Sequence, residues 1–315
     1  MTDQTDEQKA WIVILMATYD GAPHLAEQLN SIAAQTYENW SLLVGDDGSN
    51  DGTLDLLEAF GKRGHKLSVI KGPGEGSTAN FMALLQAAAE QEKGGCIAFC
   101  DQDDVWLPDK LERAVERLRA VAQDVPALYC SRSWVTDAEL GNCKLSVAWS
   151  RPLGFRNAIV QNVAAGNTIV LNPTGSHLVL QESKVAGVVV VHDWWIYQII
   201  SGAGGRLIYD DLPTLLYRQH GRNVIGANTG LRARLKRIRM LLDGTFCRWS
   251  QINVEALNRS KSRFTPENQM ILDGFALMRR AGILRRLRLI WQLRLYRQTW
   301  LSTAALWLAV LIKRI

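Results

Sequence analysis

The chain has no long apolar run. A helix needs roughly 20 consecutive apolar residues to cross a bilayer, and the longest uncharged apolar run here, Thr299 to Ile312, has fourteen. Cysteine is scarce, with five residues, an odd number and no CxxC spacing. That speaks against a disulfide or metal framework and favours free thiols in a reducing cytosol. The first ten residues, MTDQTDEQKA, lack the basic and then apolar pattern of a secretory signal, so none is expected. No GxGxxG follows the first apolar segment, which excludes a dinucleotide-binding dehydrogenase, and Lys71 to Gly76 is glycine-rich without the GK[ST] ending of a phosphate loop. That segment reads as a turn. Acidic residues nearly vanish from the C-terminal part: residues 231–315 hold 4 Asp and Glu against 18 Lys and Arg, a formal +14. Residues 1–230 hold 27 against 18, a formal −9, so the net +5 averages two unlike parts.

The acidic part alternates between two patterns. Trp11–Ala17, Trp40–Gly45, Leu67–Ile70 and Cys96–Cys100 are short apolar runs, the signature of strands buried on both faces. Helical patterns follow each: Leu25, Leu29 and Ile32, then Leu54, Leu57 and Phe60, then Phe81, Leu84 and Leu85, then Leu111, Val115 and Leu118. Strand alternating with helix predicts an α/β fold with a mostly parallel sheet. Shorter strands are expected at Leu128–Ser131, Thr168–Leu171, Arg206–Tyr209 and Thr214–Arg218, with a helix after His192. Gly226, Asn228 and Gly230 mark a loop, so the expected division is a catalytic domain over 1–228 and a basic helical region over 229–315.

Polar clusters fall just after the strands, at Asp20, at Asp46 and Asp47, and at Asp101, Asp103 and Asp104. In open α/β sheets, ligands bind at the C-terminal edge of the strands. Three carboxylates within Asp101-Gln102-Asp103-Asp104 repel one another unless a cation lies between them. Mg²⁺ or Mn²⁺ on a substrate phosphate is the natural partner.

These residues resemble a known family. VILMATYDGAPHLAEQLNSIAAQTYENWSLLVGDDGSNDGT, CDQDDVWLPDKL, AAGNTIVLN, VVVVHDWWIYQII and YRQHGRNVIGAN, in this order over residues 11–228, are similar to glycosyltransferase family 2 with its GT-A fold. The HDWW and YRQHGRN segments look most like its rhamnosyltransferase branch. The resemblance implies an inverting, metal-dependent transfer of a sugar from a dTDP- or UDP-sugar to a lipid-linked or cell-surface saccharide. It implies that Thr18, Tyr19 and Asp20 line the base pocket and that Asp47 accepts from the pyrimidine imide. Asp101 would face the ribose or a metal-bound water, Asp103 would hold the metal with help from His220, and Arg218 or Arg222 would approach the phosphates. Asp193 would be the general base, although it could instead cap the helix that follows. Many members carry Arg before the Asn of the turn after the third strand, where this chain has Ser77-Thr78-Ala79-Asn80. The processive QxxRW signature is also absent, which favours addition of single sugars. Trp106, Trp194 and Trp195 are candidates either for stacking on a sugar or for the core.

In the basic part, Leu284, Leu287, Trp291 and Leu295 fall on one helical face among arginines. This predicts a helix lying on the anionic cytoplasmic face of a membrane, with the protein peripheral and cytoplasmic. A bundle docked on the catalytic domain is the alternative. Nucleic acid is not an expected partner, since no zinc-finger, helix-turn-helix or RNA-recognition signature accompanies the charge. An inactive family member tethering a complex at a membrane is the alternative function, and the retained acidic motifs speak against it.

Overall fold

The computed structural model describes residues 10–90, 94–221, 239–240 and 243–315. The expected boundary near Asn228 and the candidate phosphate ligand Arg222 lie outside those residues. The apolar runs form β1 (Ile12–Thr18), β2 (Trp40–Asp46), β3 (Leu67–Lys71) and β4 (Cys96–Asp101), all parallel, in the order β3-β2-β1-β4. Successive side chains of a strand point to opposite faces. Ile12, Ile14 and Met16 therefore pack with α1 (Ala22–Ala33) and α2 (Thr53–Lys62), through Leu25, Leu29, Ile32, Leu57 and Phe60. Val13 and Leu15 face the other way, onto Phe81, Leu84 and Leu85 of α3 (Ser77–Glu90).

Beyond β4 the sheet becomes mixed. The chain runs through β5 (Val105–Trp106), α4 (Lys110–Arg119), β6 (Ala127–Thr136), β7 (Lys144–Leu145) and α5 (Phe155–Ala158). It continues through a 3₁₀ turn at Gly166–Thr168, then β8 (Val170–Leu171), α6 (Pro173–Ser183), α7 (His192–Gly202) and β9 (Arg206–Arg218). β8 lies antiparallel between β4 and β6, and β9 pairs parallel with β6 and antiparallel with β5. The strands expected at Arg206–Tyr209 and Thr214–Arg218 are one strand, β9, because shifts in register against β6 between Ser131 and Trp134 absorb the Asp210–Pro213 interruption.

The basic region forms α8 (Thr245–Arg259), α9 (Pro266–Arg280), α10 (Ile283–Leu293) and α11 (Trp300–Leu311). Among the described residues no helix is long and apolar enough to cross a membrane. These helices pack on the α/β part: Leu257, Phe264, Phe275, Ile290 and Val310 share one core with α3, α6 and α7. Phe264 fastens the two parts. Its ring meets that of Phe155 edge-on at 5.3 Å and lies against Gly202, where a Cβ would come within 2.7 Å of it, so α7 must end in glycine there. The carbonyls left open at the end of α7 are closed by Asn268, whose Nδ2 donates to Ser201 O and Gly202 O at 3.0 Å each.

Trp106, Trp194 and Trp195 are all buried, so all three belong to the core. The face expected on α10 divides: Leu284 and Trp291 are exposed, Leu295 is buried, and the helix packs through Arg286, Ile290 and Leu293. Phe264→Ala is expected to destabilise the protein by about 3–5 kcal/mol, the usual cost of deleting a buried aromatic. Equilibrium urea unfolding monitored by circular dichroism checks this; a cost below about 1 kcal/mol would show that Phe264 is not the fastening.

Candidate active site

Parallel register sets Thr18 beside Asp46, and Ala17 beside Asp101, at the C-terminal edge of the sheet. Thr18 is buried and donates through Oγ1 to Asp46 Oδ2 at 2.9 Å. Asp46 also accepts from the Ser49 hydroxyl at 2.6 Å and the Ser49 and Gly48 amides at 2.9 and 3.1 Å. Burial alone would raise its pKa, but these donors outweigh burial and hold Asp46 below the usual carboxylate range.

The neighbouring Asp47 turns the other way. Its carboxylate accepts from the amides of Gly74 and Gly76 at 3.2 and 3.1 Å. A Cβ at Gly72 would come within 2.1 Å of Asp47 Oδ1, which explains why this turn carries glycine. Tyr19 is 59% exposed, and its backbone is held at both ends by one side chain. Its N–H donates to Gln102 Oε1 at 2.9 Å, and Gln102 Nε2 donates to its carbonyl at 3.0 Å. Asp20 donates through its amide to Ser49 Oγ at 2.9 Å and accepts from Asn50 N at 3.0 Å. The turns after β1, β2 and β4 thus form one braced rim.

Asp101, Asp103 and Asp193 converge at this rim. Burial first, and then the charges of Asp103 and Asp193, push Asp101 up to about 7. Asp104 is fully buried beneath, accepting from Asn167 Nδ2 at 2.6 Å and from the Arg218 amide at 3.2 Å, and burial pushes it well up. Lys110 is equally buried. Its Nζ donates to Asn167 O at 2.7 Å and lies 4.6 Å from the centre of the Trp106 ring, and desolvation lowers it to about 8 against the pull of Cys100, Asp104 and Asp101. Asp103 reaches outward, with Oδ2 2.7 Å from His220 Nε2. Arg218 is 3% exposed. Its guanidinium bonds Asp103 O at 2.9 Å, Ala138 O and the Glu27 carboxylate, so its charge supports the Asp103 turn from inside the protein.

Asp193 lies in the first turn of α7, whose N-cap is Val191, so it is not the capping residue. Its carboxylate accepts from Trp194 N at 2.6 Å, Gly166 N at 3.1 Å and the Asn162 side chain. Burial nonetheless raises it to about 6. His192 beside it is buried and stacked on Phe81 at 4.0 Å, and desolvation pushes it down to about 3, so it is neutral.

Gln102, Lys110, Asn162 and Asn167 were not picked out from sequence as having a role. Lys110 carried one usable signal, a lysine in the helix directly after an acidic strand end. Asn162 carried none, because a loop brings it to Asp193.

Residues 13–160 match the model of Glycosyl transferase family 2. The chain carries a family 2 glycosyl transferase domain. It is 29% identical over 247 residues to dTDP-rhamnosyl transferase RfbG of Shigella flexneri, covering 71% of this chain and 78% of that protein. It is 33% identical over 107 residues to UDP-Glc:alpha-D-GlcNAc-diphosphoundecaprenol beta-1,3-glucosyltransferase WfgD of Escherichia coli, covering 34% of this chain and 40% of that protein. The fold is GT-A: the structure is similar to S. aureus TarS 1-349 in complex with UDP-GlcNAc, with a TM-score of 0.50 and 17% identity over 85% of this chain and 80% of that one. It also resembles GalNAc-T7 with UDP, GalNAc and Mn²⁺, with a TM-score of 0.50 and 10% identity over 94% of this chain and 56% of that one.

The donors at the rim suit a divalent cation. Asp103 offers a carboxylate and His220 an imidazole edge at one point. Among the described residues, no group of three His, Cys, Asp or Glu side chains is gathered closely enough to hold an ion unaided.

Lys110→Met leaves Asp101 and Asp104 without this buried cation. The expected cost is about 3–5 kcal/mol near pH 7, where Lys110 still carries its proton and Asp101 is partly ionised. The cost should shrink at pH 5, where carboxylates with raised pKa values take up protons and no longer need a counter-charge. Urea unfolding of both proteins at the two pH values checks this, and an equal loss at both would contradict the charge argument.

Proposed function

We propose that the chain transfers a sugar, rhamnose, with inversion from a dTDP- or UDP-sugar to a hydroxyl of a lipid-linked or cell-surface saccharide. The observation carrying this reading is the convergence of Asp101, Asp103 and Asp193 at the rim, with Asp193 held near 6. The rhamnose donor rests on the similarity to RfbG, and a lipid-linked acceptor accords with what the name of WfgD says of that relative.

In this reading Thr18, Tyr19, Asp20, Asp47 and Asp101 form the donor side. Asp103 and His220 would hold Mg²⁺ or Mn²⁺, which when bound neutralises charge developing on the departing diphosphate. Arg218 keeps the Asp103 turn in place. Asp193 takes the proton of the acceptor hydroxyl as its oxygen attacks the anomeric carbon from the face opposite the diphosphate. A single displacement inverts the anomeric centre and needs one base. A carboxylate near 6 is stronger in that role than one near 4 and is still ionised at neutral pH. Asn162 and Gly166 fix its orientation from one side and the Trp194 amide from the other.

Asp193→Asn is expected to abolish transfer while leaving donor binding intact, read as an unchanged thermal shift with the nucleotide sugar. Near wild-type turnover in that variant would remove Asp193 from the chemistry. In the wild type, kcat/KM should fall about tenfold per pH unit below 6, because the protonated carboxyl cannot accept a proton. A thermal-shift panel of dTDP-rhamnose and UDP-hexoses with and without Mn²⁺ tests the donor. The largest stabilisation is expected with dTDP-rhamnose and Mn²⁺, and stabilisation by no donor in the presence of metal would overturn the reading.

A further inference from the structure

The docked C-terminal helices leave much apolar surface uncovered. On α10, Leu284 is 81% and Trp291 70% exposed; on α11, Trp300 is 75% and Leu301 63% exposed. Leu301, Ala305, Leu308 and Ile312 recur at i, i+4, i+7 and i+11, which places them on one face of α11 and its final turn. All four are exposed and none is charged. Contiguous exposed apolar surface of this kind marks an interaction site on a soluble protein.

The charges around it narrow the choice of partner. From residue 274 to 315 there are nine Lys and Arg and no Asp or Glu. Arg286 is buried, donating to Ala281 O at 2.9 Å and to Val310 O at 2.6 Å, so it serves the packing of α10 on α11. Arg285, Arg288, Arg294, Lys313 and Arg314 are exposed. Arg285 and Arg288 line an open groove of about 630 Å³ on α10, together with Leu284, Leu289 and Gln292. A second copy of the chain would bring like charges together. A nucleic acid would satisfy the arginines but leave the α11 face in water. A surface with phosphates outside and hydrocarbon beneath satisfies both.

We propose that α10 and α11 form a docking surface for an anionic lipid bilayer, with Arg285 and Arg288 on lipid phosphates and the Trp300–Ile312 face in the acyl boundary. At 1.5 Å per residue, α11 is about 18 Å long against a hydrocarbon core of about 30 Å, so it lies in the interface and does not span it. The turn between α10 and α11 is also tied to the candidate site. Arg151 N donates to Gln298 Oε1 at 3.0 Å, Asn157 Nδ2 to Tyr296 O at 3.1 Å and Gln298 N to Gln161 Oε1 at 2.8 Å, one residue before the Asn162 that holds Asp193.

The test is co-sedimentation of the full chain with phosphatidylglycerol vesicles and with phosphatidylcholine vesicles at low and high salt. It reads binding and not transfer, so it stands or falls separately from the glycosyl-transfer reading. Binding is expected to phosphatidylglycerol alone, and to weaken with salt. R285A/R288A should lower the partition coefficient roughly thirty-fold, the loss expected for two cations at such a surface. W300S/L308S should remove binding that persists at high salt. Both pairs are surface substitutions, and an unchanged melting temperature shows that the fold is retained. Absence of binding to phosphatidylglycerol, or binding indifferent to both pairs, overturns the proposal. So does a dimer by analytical ultracentrifugation that W300S/L308S dissolves, since a second copy would then be the occupant.

Discussion

Mutual repulsion among Asp101, Asp103, Asp104 and Asp193 is the constraint that most of the surrounding structure answers. Two like charges 4 Å apart near a protein surface repel by roughly 4 kcal/mol, a large part of a domain's net stability. Relief comes from other elements of the fold. α4 places Lys110 under the turn, and β9 sends Arg218 through it to the Glu27 carboxylate of α1. The short strand β5 matters for this reason: pairing Val105 with Leu216 and Trp106 with Leu215 aligns the turn so that Arg218 reaches both Asp103 and Asp104. The mixed half of the sheet thus holds together an acidic cluster that the parallel half alone could not.

Environment gives chemically identical side chains different characters. Asp46, only two strands away from β4, receives several hydrogen bonds that hold its pKa below the usual carboxylate range, which suits a structural anchor for the rim. Asp193 also accepts hydrogen bonds, but burial outweighs them and leaves it near 6. Asp101 is higher still, because two neighbouring charges add to burial. The balance between donors and desolvation, more than proximity in sequence, separates anchor from proposed base.

Elements governed by local pattern were legible in the sequence. The runs Ile12–Thr18, Trp40–Asp46 and Cys96–Asp101 are β1, β2 and β4, and the acidic clusters fall at their ends as expected. What depends on distant pairing was not legible. Lys110 sits in a segment, KLERAVERLR, that reads as a charged surface helix, yet its ammonium is buried against Asn167 O and the Trp106 ring. Asp210-Asp211-Leu212-Pro213 looks like a loop, yet β9 continues through it because β6 supplies an irregular partner. On α10, the spacing of Leu284, Leu287, Trp291 and Leu295 suggested one apolar face, but the helix is oriented by Arg286, whose guanidinium closes the carbonyls at the end of α11. A buried arginine cannot be told from an exposed one by period alone.

The boundary of the family match divides the proposed reaction in a physical sense. It ends at residue 160, after the parallel strands and the turns that carry Thr18, Asp47, Asp101 and Asp103, and before Asn162, Gly166, Asp193 and His220. The donor rim is built on parallel strands whose register leaves little freedom. The segment that leads to Asn162 is instead held by side chains onto the C-terminal helices: Arg156 donates to Leu293 O at the end of α10 and to Glu267 of α9, and Tyr296 donates to Pro152 O at 2.6 Å. The proposed base is therefore oriented in part by the C-terminal helices. A change in their packing would be felt first at the Asn162 contact with Asp193, and would leave the Thr18–Asp46 and Asp103–His220 contacts of the donor side in place.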